Sequence, residues 1–161
     1  MSTHCSSSQG RTSTKVNLFF RRLYDFELLE KLPDYDGLLR LSCIMRFKTR
    51  DGWTELKNVI IDTGAHTTLI PLSLWKRLDV EILTEHYVRG LVPDEKCKVD
   101  VKVGWVKGVI VDERGNQTDE IRFRAFLASI DAIPIIIGFK DLLDKFKLCF
   151  DSINKTGYIE A

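Results

Sequence analysis

"VIIDTGAHTTLIP", residues 59–71, places an acidic side chain where an apolar run ends. Val59, Ile60 and Ile61 are β-branched and read as a strand buried on both faces. Asp62 closes that run, Thr63-Gly64 turns the chain, and a second apolar stretch leads to Pro71. An unpaired carboxylate buried at such a point would neutralise rather than stay charged. Asp62 therefore either makes a local turn at a strand end, as aspartates do, or shares its proton with a neighbour. Further along, "PIIIGFKDLLDKF" at 134–146 repeats the order of apolar strand, glycine and expected short helix.

Bulk properties narrow the classes. The 161 residues suit one domain with room for an added segment, and 44% hydrophobic content supplies a sizeable core. Lysine plus arginine number 24 against 23 acidic residues. So balanced a charge gives no support to nucleic acid or an anionic membrane as the main partner. Arg21-Arg22 and Lys96-Cys97-Lys98 read as solvated basic faces. The four cysteines, Cys5, Cys43, Cys97 and Cys149, form no CxxC pair, and His4, His66 and His86 have no regular spacing. No metal site or other cofactor is expected from them. Cys43 and Cys149 sit in apolar strands, where a thiol acts as a small hydrophobe. A reducing, cytoplasmic setting is expected, with no secretory signal and no membrane-crossing run.

The texture along the chain is mostly β. "MSTHCSSSQGRTST", 1–14, has nothing to bury and is expected to be a flexible tail. In 15–32, Phe20, Leu23, Tyr24 and Leu28 fit a helical face, while Val16, Leu18 and Phe20 fit strand alternation. Residues 15–35 are taken as an N-terminal extension, either a docked element or a pro-segment, and 36–161 as the main domain. "LLRLSCIMRFK" (38–48) alternates as a half-buried strand, "TRDG" offers a turn, and "WTELKNVIID" returns to Asp62. "LIPLSLWKRL" predicts a short helix with Pro71 in its first turn. "EHYVRG", "CKVDVKVGWV", "GVIVDERGNQTDEIRFRAFLA" and "KLCFDSINKTGYIE" predict further strands with Gly/Asn turns between them.

With "VIIDTGAHTTLIP" and "PIIIGFKDLLDKFKLCFD" side by side, the chain from about Asp36 to Ala161 resembles the retropepsin-like aspartic proteases, the single-domain retroviral type. The resemblance implies a closed acid-protease β-barrel with one or two short helices, assembled as a two-fold homodimer. It implies an aspartic endopeptidase with a polypeptide substrate. Asp62, Thr63 and Gly64 would form the catalytic loop. Ala65, with a flap tip at Gly90, Leu91 and Val92 inside "YVRGLVPDEKCKV", would touch substrate. Such hydrolysis needs two carboxylates a hydrogen bond apart sharing one proton. One Asp-Thr-Gly is present, and Asp151-Ser152-Ile153 lacks the glycine. The second carboxylate must then come from a second copy of the chain.

By the same resemblance Thr63 would bond its equivalent across the two-fold axis, and Gly138 would let the last helix pack behind the loop. Thr68 offers a hydroxyl either to the loop or to its own backbone. Leu69, Ile70 and Ile135 would line apolar substrate pockets. The sequence departs from the retroviral pattern at His66, at Phe139 in place of a dimer-tying arginine, and in a flap with a single glycine. The missing arginine and the single-glycine flap define the alternative, a catalytically weak dimerisation or peptide-binding module. "LFFRRLYDFELL" holds bulky apolar pairs, Phe19-Phe20 and Leu23-Tyr24, of the kind such a protease could cut in its own extension.

Overall fold

The computed structural model describes residues 14–89 and 98–161. The tail up to residue 13 and the expected flap tip, Gly90, Leu91 and Val92, lie outside the described residues. Ten strands form one sheet: β1 (Lys15–Leu23), β2 (Leu38–Phe47), β3 (Lys57–Ile61), β4 (Thr68–Ile70) and β5 (Glu81–Val88) in the first half. β6 (Val99–Val111), β7 (Ile121–Ala128), β8 (Ile136–Ile137), β9 (Lys147–Asp151) and β10 (Thr156–Glu160) follow. Two short helices, α1 (Phe26–Lys31) and α2 (Leu72–Trp75), interrupt them.

The sheet closes on itself. β3 pairs β2, β2 pairs β6, and β6 pairs β7, all antiparallel. β7 runs parallel to β4, β4 meets β8 at Leu69 and Ile136, and β8 runs parallel to β3. These six strands make a barrel with no open edge among them, filled by a core that includes Phe47, Met45, Ile110, Phe123 and Ile137. β5 extends the β6 edge as a hairpin, and β1, β10 and β9 extend β2 on the other side.

The ambiguous 15–32 stretch divides between the two periodicities. Val16 and Leu18 alternate into the core, and β1 lies between β2 and β10. The helical face is used only in α1, capped by Asp25, whose carboxylate accepts from the Glu27 and Leu28 N–H groups. α1 buries none of its residues, and Phe26 is 76% exposed.

Two local expectations shift. Pro71 stands at the N-cap of α2, one position before its first turn. The helix expected in "FKDLLDKF" is a single 3-10 turn, Leu143–Lys145. Its continuation backwards is stopped by Asp141, whose φ of 61° is left-handed. Arg124 holds Asp141 there through a bidentate fork, Nε–Oδ2 at 2.7 Å and Nη2–Oδ1 at 3.2 Å, while the Arg124 N–H also donates to Oδ2.

Candidate active site

Strand alternation decides what faces Asp62. Ile61, Ile70 and Ile137 point into the barrel core. Their neighbours Ile60, Leu69 and Ile136 therefore point to the opposite face. Leu69 and Ile136 join Val99, Val101, Ala128 and Phe126 in a second apolar cluster. Asp62 follows Ile61, so alternation brings its side chain out on this second face. This corrects the expected pocket lining: Ile70 and Ile135 belong to the core, and of the three residues expected only Leu69 lies on the Asp62 face. In a wholly apolar run nothing in the sequence distinguishes the two faces.

The Asp62 turn is tightly specified. The Asp62 N–H donates to the Ile137 carbonyl at 3.1 Å, which keeps the backbone in register with β8. The Gly64 N–H donates to Asp62 Oδ1 at 2.8 Å, and the Ala65 N–H to the Asp62 carbonyl at 3.1 Å. A Cβ at position 64 would come within 3.3 Å of that same Oδ1. Asp62 is half-buried, while Thr63 and Gly64 are exposed. Asp62, Thr63, Gly64 and Ala65 thus form one turn with the carboxylate held at its side.

β8 supports this turn from behind. The Phe139 and Lys140 N–H groups donate to the Ala65 and His66 carbonyls at 3.1 and 2.9 Å. Gly138 makes that approach possible, because a Cβ there would meet the Ala65 oxygen at 2.7 Å and Thr67 backbone at 2.8 and 2.9 Å. Its N–H donates to Thr68 Oγ1 at 3.1 Å, which settles where the fully buried Thr68 hydroxyl is used. The contact behind the loop is therefore strand-end glycine against loop, with the 3-10 turn following it.

His66 Nδ1 lies 2.7 Å from Thr67 Oγ1, and its ring meets Phe126 edge-on at 5.8 Å. The Phe126 ring also lies 5.8 Å from His86 on β5, so the Asp62 loop and the hairpin arm share one aromatic contact. The described arms of the expected flap pair in register from Glu81–Trp105 to Val88–Val99, with an irregularity between Ile82 and Thr84. Phe139, at the position of the expected arginine, is 40% exposed. A cleft of about 570 Å³ between α2 and the hairpin arms, lined by Trp75, Lys76, Glu85 and Lys102 among others, includes no residue of the Asp62 turn. Among the described residues no group of histidine, cysteine and acidic side chains could hold a metal ion, and no helix is long and apolar enough to cross a membrane.

The closed mixed barrel has a counterpart among solved structures. A retropepsin-like aspartic protease from Rickettsia conorii aligns over 95% of this chain and 97% of its own, with a TM-score of 0.51 at 12% identity. The fold is retropepsin-like. An EIAV protease in complex with the inhibitor HBY-793 aligns over 69% of this chain and 91% of its own, at 22% identity and a TM-score of 0.42. No protein-family model matches the sequence, and no curated protein matches it.

Proposed function

We propose that the protein is a homodimeric aspartic endopeptidase whose two Asp62 carboxylates, one per subunit, activate a water between them. The observation that carries this reading is the Asp62 turn, with the Gly64 N–H on one carboxylate oxygen and Gly138 packed against the loop behind it. A carboxylate fixed in this way at the rim of an apolar face, next to exposed Thr63 and Gly64, is half of a proton-sharing pair. Two-fold symmetry supplies the other half. The unprotonated Asp62 takes a proton from the water as it attacks the scissile carbonyl. The protonated Asp62 of the partner donates to the carbonyl oxygen, and the tetrahedral intermediate collapses as the amine is protonated.

The substrate in this reading is an extended peptide lying on the Ile60, Leu69, Ile136 and Phe126 face, beneath the β5–β6 arms, its main chain paired strand to strand. Bulky apolar side chains suit that floor. The test is Asp62→Asn against wild type, in casein and peptide-library digests across about pH 3 to 7, with solution mass measured on both proteins. Wild type is expected to cleave and to be blocked by a pepstatin-like inhibitor. Asp62→Asn is expected to lose more than about 100-fold in rate while staying dimeric. Cleavage at the wild-type rate by Asp62→Asn, or full activity in a monomer, overturns the mechanism.

A further inference from the structure

The Asp62 face continues across β3 onto β2 and β1. Ser42 pairs Ile60, and Phe19 pairs Ser42, so all three residues share that face. Two residues further along β2, Arg40 pairs Arg21 of β1 on the same side. Continuing the β2–β3 register from Ser42–Ile60 by two residues sets Arg40 opposite Asp62 itself. Like charges facing each other across antiparallel strands repel. Four other arginines are ion-paired, Arg22 with Asp36, Arg77 with Glu55, Arg122 with Glu81 and Arg124 with Asp141. Arg46, Arg50 and Arg114, each apart from any second arginine in the ladder, have no ion pair among the described residues. Arg21 and Arg40 have no carboxylate or hydrogen-bond partner among the described residues. Between them opens a cleft of about 90 Å³, lined by Arg21, Arg40, Ser42, Asn58 and Ile60 together with the apolar Leu23, Val59 and Pro134.

Resting on the protease reading of this same face, we propose that Arg21 and Arg40 are specificity-determining residues that together bind an acidic side chain of the peptide substrate. A carboxylate set between two guanidinium groups relieves their repulsion and accepts charge-assisted hydrogen bonds from both. Strands lie about 4.8 Å apart, so Arg40 stands one strand and Arg21 two strands, roughly 10 Å, from the Asp62 strand. An extended peptide advances about 3.3 Å per residue, which places the acidic side chain within about three residues of the bond cut. Two-fold symmetry would repeat the cleft on the other side of that bond.

Decapeptides with a Phe-Leu centre, carrying either Glu or Gln at the second, third or fourth position on both sides, are the probes. Two readouts are taken at about pH 6, where the glutamate is ionised: cleavage by wild type, and fluorescence-anisotropy binding to Asp62→Asn. Expected is a preference of about tenfold for Glu in at least one position set in both readouts, weakening as salt is raised. In the Asp62→Asn background, Arg21→Gln with Arg40→Gln should erase the preference, leave binding of the Gln peptides unchanged and leave thermal unfolding undiminished. A role in folding alone would weaken both peptides together. If wild type cleaves neither peptide while Asp62→Asn still prefers Glu, the protease reading fails and the arginine site stands. Equal or absent binding of the two peptides by Asp62→Asn overturns the arginine proposal, as does a preference that survives both substitutions.

Discussion

Gly138→Ala tests whether the support behind the Asp62 turn is as close as the geometry says. The added methyl carbon would stand 2.7 Å from the Ala65 oxygen and 2.8 and 2.9 Å from the Thr67 carbonyl carbon and nitrogen. All three are backbone atoms, so no side chain can rotate away; the loop or β8 must move by roughly half an ångström or more. Overpacking of this kind costs about 1–3 kcal/mol. The same movement stretches three hydrogen bonds, Gly138 to Thr68 Oγ1, Phe139 to Ala65 and Lys140 to His66. Each contributes about 1 kcal/mol net. The expected loss is roughly 2–4 kcal/mol, a fall in Tm of roughly 5–15 °C for a chain of this size. Urea and thermal unfolding at one fixed protein concentration measure it, so that any self-association affects both proteins equally. Gly115→Ala is the control: its φ of 83° is left-handed, but no atom lies within 4 Å of the added carbon. It should cost only about 1 kcal/mol. A Gly138→Ala protein within about 0.5 kcal/mol of wild type, or one less affected than Gly115→Ala, refutes the close-support argument.

Two further outcomes follow from the same region. Thr68→Val removes the acceptor of the Gly138 N–H inside the fold and should cost about 1–3 kcal/mol, whereas Thr68→Ser should retain most of the stability; urea unfolding separates them. The Arg124 guanidinium beside Asp141 holds its carboxyl below the usual carboxylate range. Asp141 therefore contributes stability that is fully present above the ordinary carboxylate pKa and is lost as pH falls through the depressed native value. Asp141→Asn, which tolerates the left-handed backbone, should be less stable than wild type at about pH 6 and converge on it as pH falls below the ordinary carboxylate range. A difference that does not narrow with acid would mean that the charge is not what matters.

What could be read from the sequence was what local pattern encodes. An apolar run broken by Asp62-Thr63-Gly64, and a second run broken by Gly138, each declare a strand end and a turn within a few residues. Their meeting in space is then the simplest way for both to be buried. The orientation of Ile70 and Ile135 was not legible, because alternation disappears where every residue is apolar. The fate of "FKDLLDKF" turned on Arg124 of β7, 17 residues from Asp141 in the chain. No local pattern announces such a contact. Arg21-Arg22 reads as a solvated pair and Arg21 is exposed, but alternation sends the two side chains to opposite faces. Arg22 finds Asp36, while Arg21 meets Arg40.

The N-terminal extension gives the last prediction, because its two candidate cut sites differ in how the sheet holds them. Phe19 is paired on both sides, with Ser42 of β2 and Thr156 of β10, so the Phe19-Phe20 bond is sealed inside the ladder. Leu23-Tyr24 lies where β1 ends, with Tyr24 51% exposed. A protease site must take its substrate as a free extended strand, so cutting inside 24–37 is open to it while cutting at Phe19-Phe20 requires β1 to leave the sheet. Removal of β1 would withdraw Val16 and Leu18, worth about 1.5–3 kcal/mol each, and would part β10 and β9 from β2, since β1 is the strand that joins them. Chains starting at residue 14 and at residue 25 test this by far-UV circular dichroism and urea unfolding. The first should unfold cooperatively with wild-type stability, and the second should lose cooperative unfolding. Should the chain from residue 25 unfold as cooperatively as the longer one, β1 is dispensable and its removal becomes a credible activation step. Should it fail, any processing must leave β1 in place, nicked at the α1 connection and still seated in the sheet.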